Sequence, residues 1–402
     1  MLTPTSVEKQ YEQTVADDLR VLVVGAGIAG VTVAQLLRRS GRHPVLVECA
    51  GGGSAPGYML ALMPLVDAAL DGLGVREAYC AASVSLERYA VHGHTGRMLR
   101  VDSMASIMAR YGDYRGIARG ELLDVLTGDG CEVAFETTVT ELVEESGAAK
   151  VRLAGVPNRL DFDVVIIADG IHSTTRDLVL GGRPVELVDT KWGGWVVWAP
   201  LDDHTDLGEE LWGAGSFVAM YPVAGSLGVF LGGPRTDTAA GPAAFVERMQ
   251  RGLTSINPRL ECAMKAVAED PDPYYWSLTD CRAPAWTTGH TVLLGDAAAG
   301  FLPTAGIGAG MAMESAWVLH RMLQDANRAR LADVLRAYER AQRPRVEAAQ
   351  DNSRRLASLM FRRSRLLAWA RELAMRVISV ERALRPIQRL LQEQPTGATP
   401  TH

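Results

Sequence analysis

Apolar residues fall into two patterns along the chain. The first is the unbroken run: Val21–Val24, Val45–Val47, Val164–Ala168 and Val292–Leu294. A strand covered by helices on both faces has no polar side, so such runs predict buried parallel strands. Three of them lead at once into turn residues and then a helical stretch. Val24 is followed by Gly25–Gly30 and a helix from Val31 to Leu37. Ala168 is followed by Asp169-Gly170 and a helix capped by Ser173, and Leu294 by Gly295–Gly310 and a helix from Met311 to Leu323. Strand, turn and helix repeated in this order predict a Rossmann-like α/β domain.

The second pattern has a period of two. It covers Arg88 to Asp102 about a His94-Thr95-Gly96 turn, then Trp192–Trp198, Ser216–Tyr221 and Ser226–Leu231. Alternation places Trp192, Gly194, Val196 and Trp198 on one face and Trp195 on the other. These segments predict a largely antiparallel β-sheet inserted into the first domain. Cys131–Phe135, Thr137–Glu144 and Lys150–Leu153 predict a small antiparallel meander, and Met63–Leu73 and Gly120–Leu126 predict helices. Residues 51–58 read as a glycine-rich loop. From Leu331 to Leu391 the pattern is helical, with Pro344 and Pro386 expected as breaks or kinks.

Composition narrows the class. The 402 residues suffice for two associated domains, and 48% hydrophobic with 22% charged residues describes a globular protein. Residues 1–18 are polar and mixed in charge, and no run of apolar residues is long enough to span a bilayer, so neither a secretory leader nor a membrane span is expected. Five scattered cysteines form no ligand cluster; they read as reduced, buried thiols of a cytoplasmic protein, with no metal site. The net charge of −6 conceals a basic segment, residues 336–389, with fourteen arginines, no lysine and five acids. Few aromatic residues accompany those arginines, so they are read as helix faces packed on an acidic body and not as a nucleic-acid surface.

The candidate chemistry lies at the strand ends. Gly25, Gly27 and Gly30 have the spacing of a dinucleotide cradle, in which a tight turn brings backbone N–H groups and a helix N-terminus to a pyrophosphate. Glu48 ends the next strand, where a carboxylate can accept hydrogen bonds from a ribose. Asp169 and Asp296 each stand at the carboxyl end of a further parallel strand, the place where open α/β sheets bind ligands. Three such ends serving one ligand imply a long, extended dinucleotide.

In this order the three stretches resemble the FAD-dependent aromatic hydroxylases, the single-component flavoprotein monooxygenases with the p-hydroxybenzoate hydroxylase fold. The resemblance runs from Leu19 to about Arg345. It implies that 19–80, 103–180 and 284–340 form a discontinuous FAD-binding domain, 81–102 and 181–283 the substrate domain, and 341–394 C-terminal helices. It implies FAD contacts from Gly25, Gly27, Ala29, Gly30, Glu48, Arg119, Asp169, Gly170, Gly295, Asp296, Pro303, Gly306, Gly308 and Ala309. Trp195, Trp198, Trp212 and Tyr221 are the expected substrate-pocket residues, and no residue is singled out as catalytic.

By the same resemblance, NAD(P)H reduces the flavin, O2 adds at C4a, and the hydroperoxide hydroxylates or epoxidises a bulky aromatic or polyketide-like small molecule. Two positions depart from the family pattern. Ala299 stands where Gly-Asp-Ala-Ala-His has its histidine, and Ser315 where an aspartate is common. Ala299 supports an alternative, a flavoprotein scaffold that catalyses a non-redox cyclisation in natural-product biosynthesis.

Overall fold

The computed structural model describes residues 1–52, 57–145, 147–304, 306–377 and 380–393. Part of the glycine-rich 51–58 loop, Ala305 and the last residues of the chain lie outside them.

Two sheets carry the architecture. The first has five strands in the order Thr287–Thr288, Thr291–Leu293, Val164–Ile167, Val21–Val24, Val45–Val47, with the last four parallel. Every residue of those four parallel strands is buried, as unbroken apolar runs require. The helices Ile28–Arg39 and Gly308–Gln324 lie against each other beside this sheet. Their N-termini therefore open on the same edge, beyond the carboxyl ends of the strands.

The second sheet has eight strands, in the order Ala299–Gly300, Tyr274–Arg282, Glu186–Ala199, Ser226–Pro234, Phe217–Val223, Leu207–Trp212, Arg88–His92 and Met98–Ser103. All neighbours are antiparallel except Leu207–Trp212 and Arg88–His92. One face is covered by the helices Pro242–Gly252 and Pro258–Glu269, which build a separate core around Trp195, Val197, Leu211 and Val229. The other face, bearing Val196, Trp212, Phe217, Tyr221 and Phe230, turns to a cavity shared with the first sheet.

Three local expectations are corrected. Cys131–Val133 does not join the meander; it pairs in parallel with Leu2–Pro4, and Ala134 bridges to Val47 at the edge of the first sheet. The meander consists instead of Val139–Glu145, Ala148–Leu153 and Leu160–Phe162. The helix Leu331–Met360 runs through Pro344 and ends at Phe361, whose ring stacks on Trp192 at 4.8 Å. Pro344 costs the long helix one backbone bond without ending it. Of the cysteines, Cys49 is exposed and only Cys131 and Cys281 are fully buried.

Some arginines of the basic segment pair with acids, of the body or of their own helix. Arg345 is paired with Glu314 at 2.7 Å, Arg354 with Asp280 at 2.8 Å, and Arg343 with Glu339 and Glu347 at 2.9 and 2.7 Å. Among the described residues no helix is long and apolar enough to cross a membrane.

Candidate active site

The first turn is shaped by its glycines. Gly25 has φ +101, and a Cβ there would fall 2.5 Å from the Ala168 carbonyl oxygen; one at Gly30 would fall 1.9 Å from the Gly25 carbonyl oxygen. Both positions therefore require glycine for packing. Gly27 differs: a Cβ there meets nothing within 4 Å, and the residue lines the cavity. Gly27 is also the N-cap of its helix and offers no side chain to the first free N–H groups.

The three strand ends converge. Gly25 lies against Ala168 and Asp169 at the end of the second run, and a Cβ at Gly295 would come 2.8 Å from that of Ala29. Arg176, buried in the helix Thr174–Leu180, donates to the carbonyls of Ala297 and Ile171, each at 3.1 Å. That guanidinium clamps the Asp169-Gly170 turn to the Gly295-Asp296 turn.

One cavity of about 800 Å3 lies between the two sheets. Of the expected cofactor residues, Gly27, Ala29, Arg119, Gly170, Asp296, Pro303, Gly306, Gly308 and Ala309 line it. The second helix N-terminus, at Gly308, also has no side-chain cap. The opposite wall comes from the large sheet and includes Tyr89, Val91, Glu210, Trp212, Tyr221 and Phe230. Apolar residues of the C-terminal helices Arg365–Val377 and Val380–Gln392, among them Met375, Leu384 and Ile387, complete the lining.

Two carboxyl groups, Glu210 and Asp296, and four arginines, Arg100, Arg119, Arg355 and Arg371, line the cavity. The Asp296 carboxyl is exposed to the cavity yet ringed by protein, and the surrounding low dielectric pushes its pKa up to about 6, with water in the open cavity acting against that rise. Arg119 lies over the Tyr58 ring, 5.9 Å from its centroid, and among the described residues it has no carboxylate partner. Glu210 is buried and accepts from Tyr89 Oη at 2.6 Å, Trp212 Nε1 at 2.7 Å and Tyr221 Oη at 2.7 Å. Burial pushes its pKa up against those three donors.

Some expected residues stand elsewhere. Gly25 and Gly295 lie in the turns behind the cavity wall, Gly30 in the first turn of the helix Ile28–Arg39, and Glu48 beside the first glycine turn. Glu48 Oε2 accepts from the Ala26 amide at 2.7 Å and Oε1 from that of Ala50 at 2.9 Å, so its carboxylate holds the cradle's backbone. Asp169 Oδ2 accepts from the Thr175 amide at 3.3 Å, and its Oδ1 is buried without a partner among the described residues.

Two pocket expectations are corrected. Trp195 points away from the cavity into the helix-covered core, with its ring 5.8 Å from Phe245 and 5.6 Å from Tyr275. Trp198 is 36% exposed and lies outside the lining. Trp195 is displaced by strand alternation, because its even-numbered neighbour Val196 takes the cavity face. Arg176 and Glu210 went unread, although Glu210 is two residues from Trp212 on one strand and so shares its face. Ala299, the family's histidine position, is buried outside the cavity lining.

These features fit an extended dinucleotide. An open glycine, two uncapped helix N-termini and a carboxyl that has no partner among the described residues border one space, with the orphaned Asp169 oxygen in the turn next to Gly170 of its lining. Comparison with known proteins gives the same family. The FAD binding domain family matches residues 18–353. The 3-amino-4-hydroxybenzoate 2-monooxygenase of Streptomyces cremeus is 29% identical over 375 residues, covering 85% of this chain and 87% of that protein. The aurachin C monooxygenase/isomerase of Stigmatella aurantiaca is 28% identical, covering 94% and 99%. The structure of Klebsiella pneumoniae HpxO complexed with FAD and uric acid superposes with a TM-score of 0.82 at 22% identity, covering 96% and 99%, a likeness of fold alone. Turns, cavity and relatives agree: the chain belongs to the FAD-dependent aromatic hydroxylase family and is an FAD-dependent monooxygenase.

Proposed function

We propose that this monooxygenase uses NAD(P)H and O2 to hydroxylate or epoxidise a bulky aromatic or polyketide-like small molecule in the cytoplasm. The observation that carries the reading is one cavity with two walls of different chemistry. Glycine turns and helix N-termini form one, and a mostly apolar, aromatic sheet face the other.

When bound, FAD would take two electrons from NAD(P)H and activate O2 for transfer of one oxygen atom to the substrate. The chain's own residues bind and orient. Backbone N–H groups at Gly27 and at Gly308–Gly310 would take the pyrophosphate and the electron-rich edge of the ring system, respectively. Asp296 would accept from cofactor hydroxyls, Arg119 would reach the nucleotide from the Tyr58 side, and Glu48 and Asp169 would stiffen the turns around it. The aromatic wall and the C-terminal helices would exclude water and hold the substrate ring. Ala299 offers no group to this space, so nothing in the cavity favours the cyclisation scaffold.

The test is purification followed by flavin analysis and NAD(P)H oxidation with aromatic probes. Yellow protein is expected, with turnover that consumes O2 and stops without it. Asp296→Ala should lose bound FAD, whereas His92→Ala, whose ring bonds the Gly96 carbonyl at 2.9 Å outside the cavity, should retain it. Colourless wild-type protein, or flavin retained by Asp296→Ala, would count against the assignment.

A further inference from the structure

Glu210 is an unusual group for the wall of an apolar cavity. It lies on the strand Leu207–Trp212, all six residues of which are buried, and faces the cavity beside Trp212, Tyr89 and Tyr221. Its three donors are neutral, and no cation lies within ion-pair distance of it among the described residues. Four arginines line the cavity; Arg119 and Arg355 have no carboxylate partner among the described residues, and neither lies within ion-pair distance of Glu210, while the other two are occupied. Arg371 lies over the Trp212 ring at 5.6 Å and donates to the backbone carbonyls of Trp212, Gly213, Leu359 and Met360. Arg100 is held by Asp102 and the Met375 carbonyl.

A carboxylate has two oxygens with two lone pairs each. Oε2 accepts from Tyr89 and Trp212, while Oε1 accepts from Tyr221 alone, which leaves one acceptor position in a group that borders the cavity. Three donors aimed at one carboxyl group favour its anion, since a proton on it would compete with one of them, and they oppose the upward pull of burial. A buried anion with a vacant lone pair attracts an O–H or N–H donor and repels another anion.

We propose that Glu210 is the substrate-reading carboxylate of this cavity, taking an O–H or N–H donor of an uncharged aromatic substrate and excluding aromatic carboxylates. This rests on the monooxygenase reading above and specifies its substrate class. The donor would be a phenolic hydroxyl or a ring N–H, and the aromatic body would lie among Phe230, Val91 and Tyr221.

The experiment titrates the FAD-loaded enzyme with three probes of one shape, 1-naphthol, 1-methoxynaphthalene and 1-naphthoate, and follows the bound flavin's absorbance. Wild-type enzyme should prefer the naphthol to its methyl ether by roughly tenfold and to the naphthoate by roughly a hundredfold, because a buried site built for a donor leaves its acceptor unpaired otherwise. Glu210→Gln should bring the naphthol and its ether within about threefold of each other and tighten the naphthoate by about tenfold or more. Melting temperature and flavin content, measured alongside, separate this loss from a packing defect. If Glu210→Gln does not fold, Glu210→Asp takes its place: it withdraws the charge by one methylene, so the naphthol preference should fall while the naphthoate stays excluded. Naphthoate bound as tightly as naphthol, unchanged ratios in a folded variant, or no binding of any probe would overturn the proposal. Protein without FAD would sink the monooxygenase reading; yellow protein that fails the comparison would sink only this one.

Discussion

The guanidinium of Arg176 donates to the carbonyl oxygen of Ala297 at 3.1 Å, joining two turns that lie more than a hundred residues apart in the chain. It is buried, and its other bonds go to the Ile171 carbonyl and the Cys281 thiol. Replacing it by Ala would leave those carbonyls unpaired and the two turns free to separate. Arg176→Ala should lose about 2–4 kcal/mol of stability in urea unfolding and weaken FAD binding. Arg176→Lys should recover little, since one ammonium cannot reach both turns.

Asp296 makes the flavin-free protein sensitive to pH. Its folded pKa, about 6, lies above the usual 3.8, so the folded state prefers the protonated form. The associated stability is fully present below the unfolded pKa and is lost as pH rises through 6. Because the cavity is open to water the effect is small: relative to Asp296→Asn, the wild-type melting temperature should fall by roughly 1–3 °C between pH 4 and 7. A constant difference across that range would show that the carboxyl titrates as it does in water.

Trp195 and Trp212 should separate stability from binding. Trp195→Ala removes a ring from the helix-covered core and should cost about 3–5 kcal/mol without changing KM for an aromatic substrate. Trp212→Phe keeps the packing but removes a donor to Glu210, so it should shift substrate binding while melting stays within a few degrees. Raised KM in Trp195→Ala would restore that residue to the pocket.

That pair also shows what could be read in advance. The parallel strands and their turns were legible because a doubly covered strand admits only apolar residues and its turns need glycine. Alternation put Trp195 and Val196 on opposite faces, but which face met the cavity was decided by the helices Pro242–Gly252 and Pro258–Glu269, which are remote from that strand in sequence. The strand Leu2–Pro4 was hidden because an edge strand of three residues has too little periodicity to register. Arg176 and Glu210 each draw their role from partners far away or across strands, and no local pattern reports such partners.

The buried Glu314 pairs with the half-buried Arg345 at 2.7 and 2.8 Å, and Gln342 bonds both Glu314 and the neighbouring Ser315. Ser315, where the family often has an aspartate, thus joins an interhelical network that already contains one carboxylate. Glu314→Ala would strand the Arg345 cation and should cost about 3–5 kcal/mol. Ser315→Asp should also destabilise, by placing a second buried anion beside the first. Thermal unfolding of both variants checks this.

Gly27 and Gly30 lie three residues apart in one turn and should respond oppositely to the same change. At Gly30 an added methyl would sit 1.9 Å from the Gly25 carbonyl oxygen, backbone that cannot move without opening the turn, so Gly30→Ala should fail to fold or melt far below wild type. At Gly27 the methyl meets no protein atom within 4 Å, and φ is −76, which alanine adopts freely. The flavin-free Gly27→Ala protein should therefore melt within about 1 °C of wild type or slightly above it, as the unfolded chain loses freedom. The same methyl would occupy the space into which a pyrophosphate approaches the helix N-terminus. Gly27→Ala should accordingly bind FAD at least tenfold more weakly, by roughly 1.4 kcal/mol or more, as read from flavin fluorescence on dilution. Unchanged FAD affinity in a normally folded Gly27→Ala would mean that the open side of the turn does not face the cofactor.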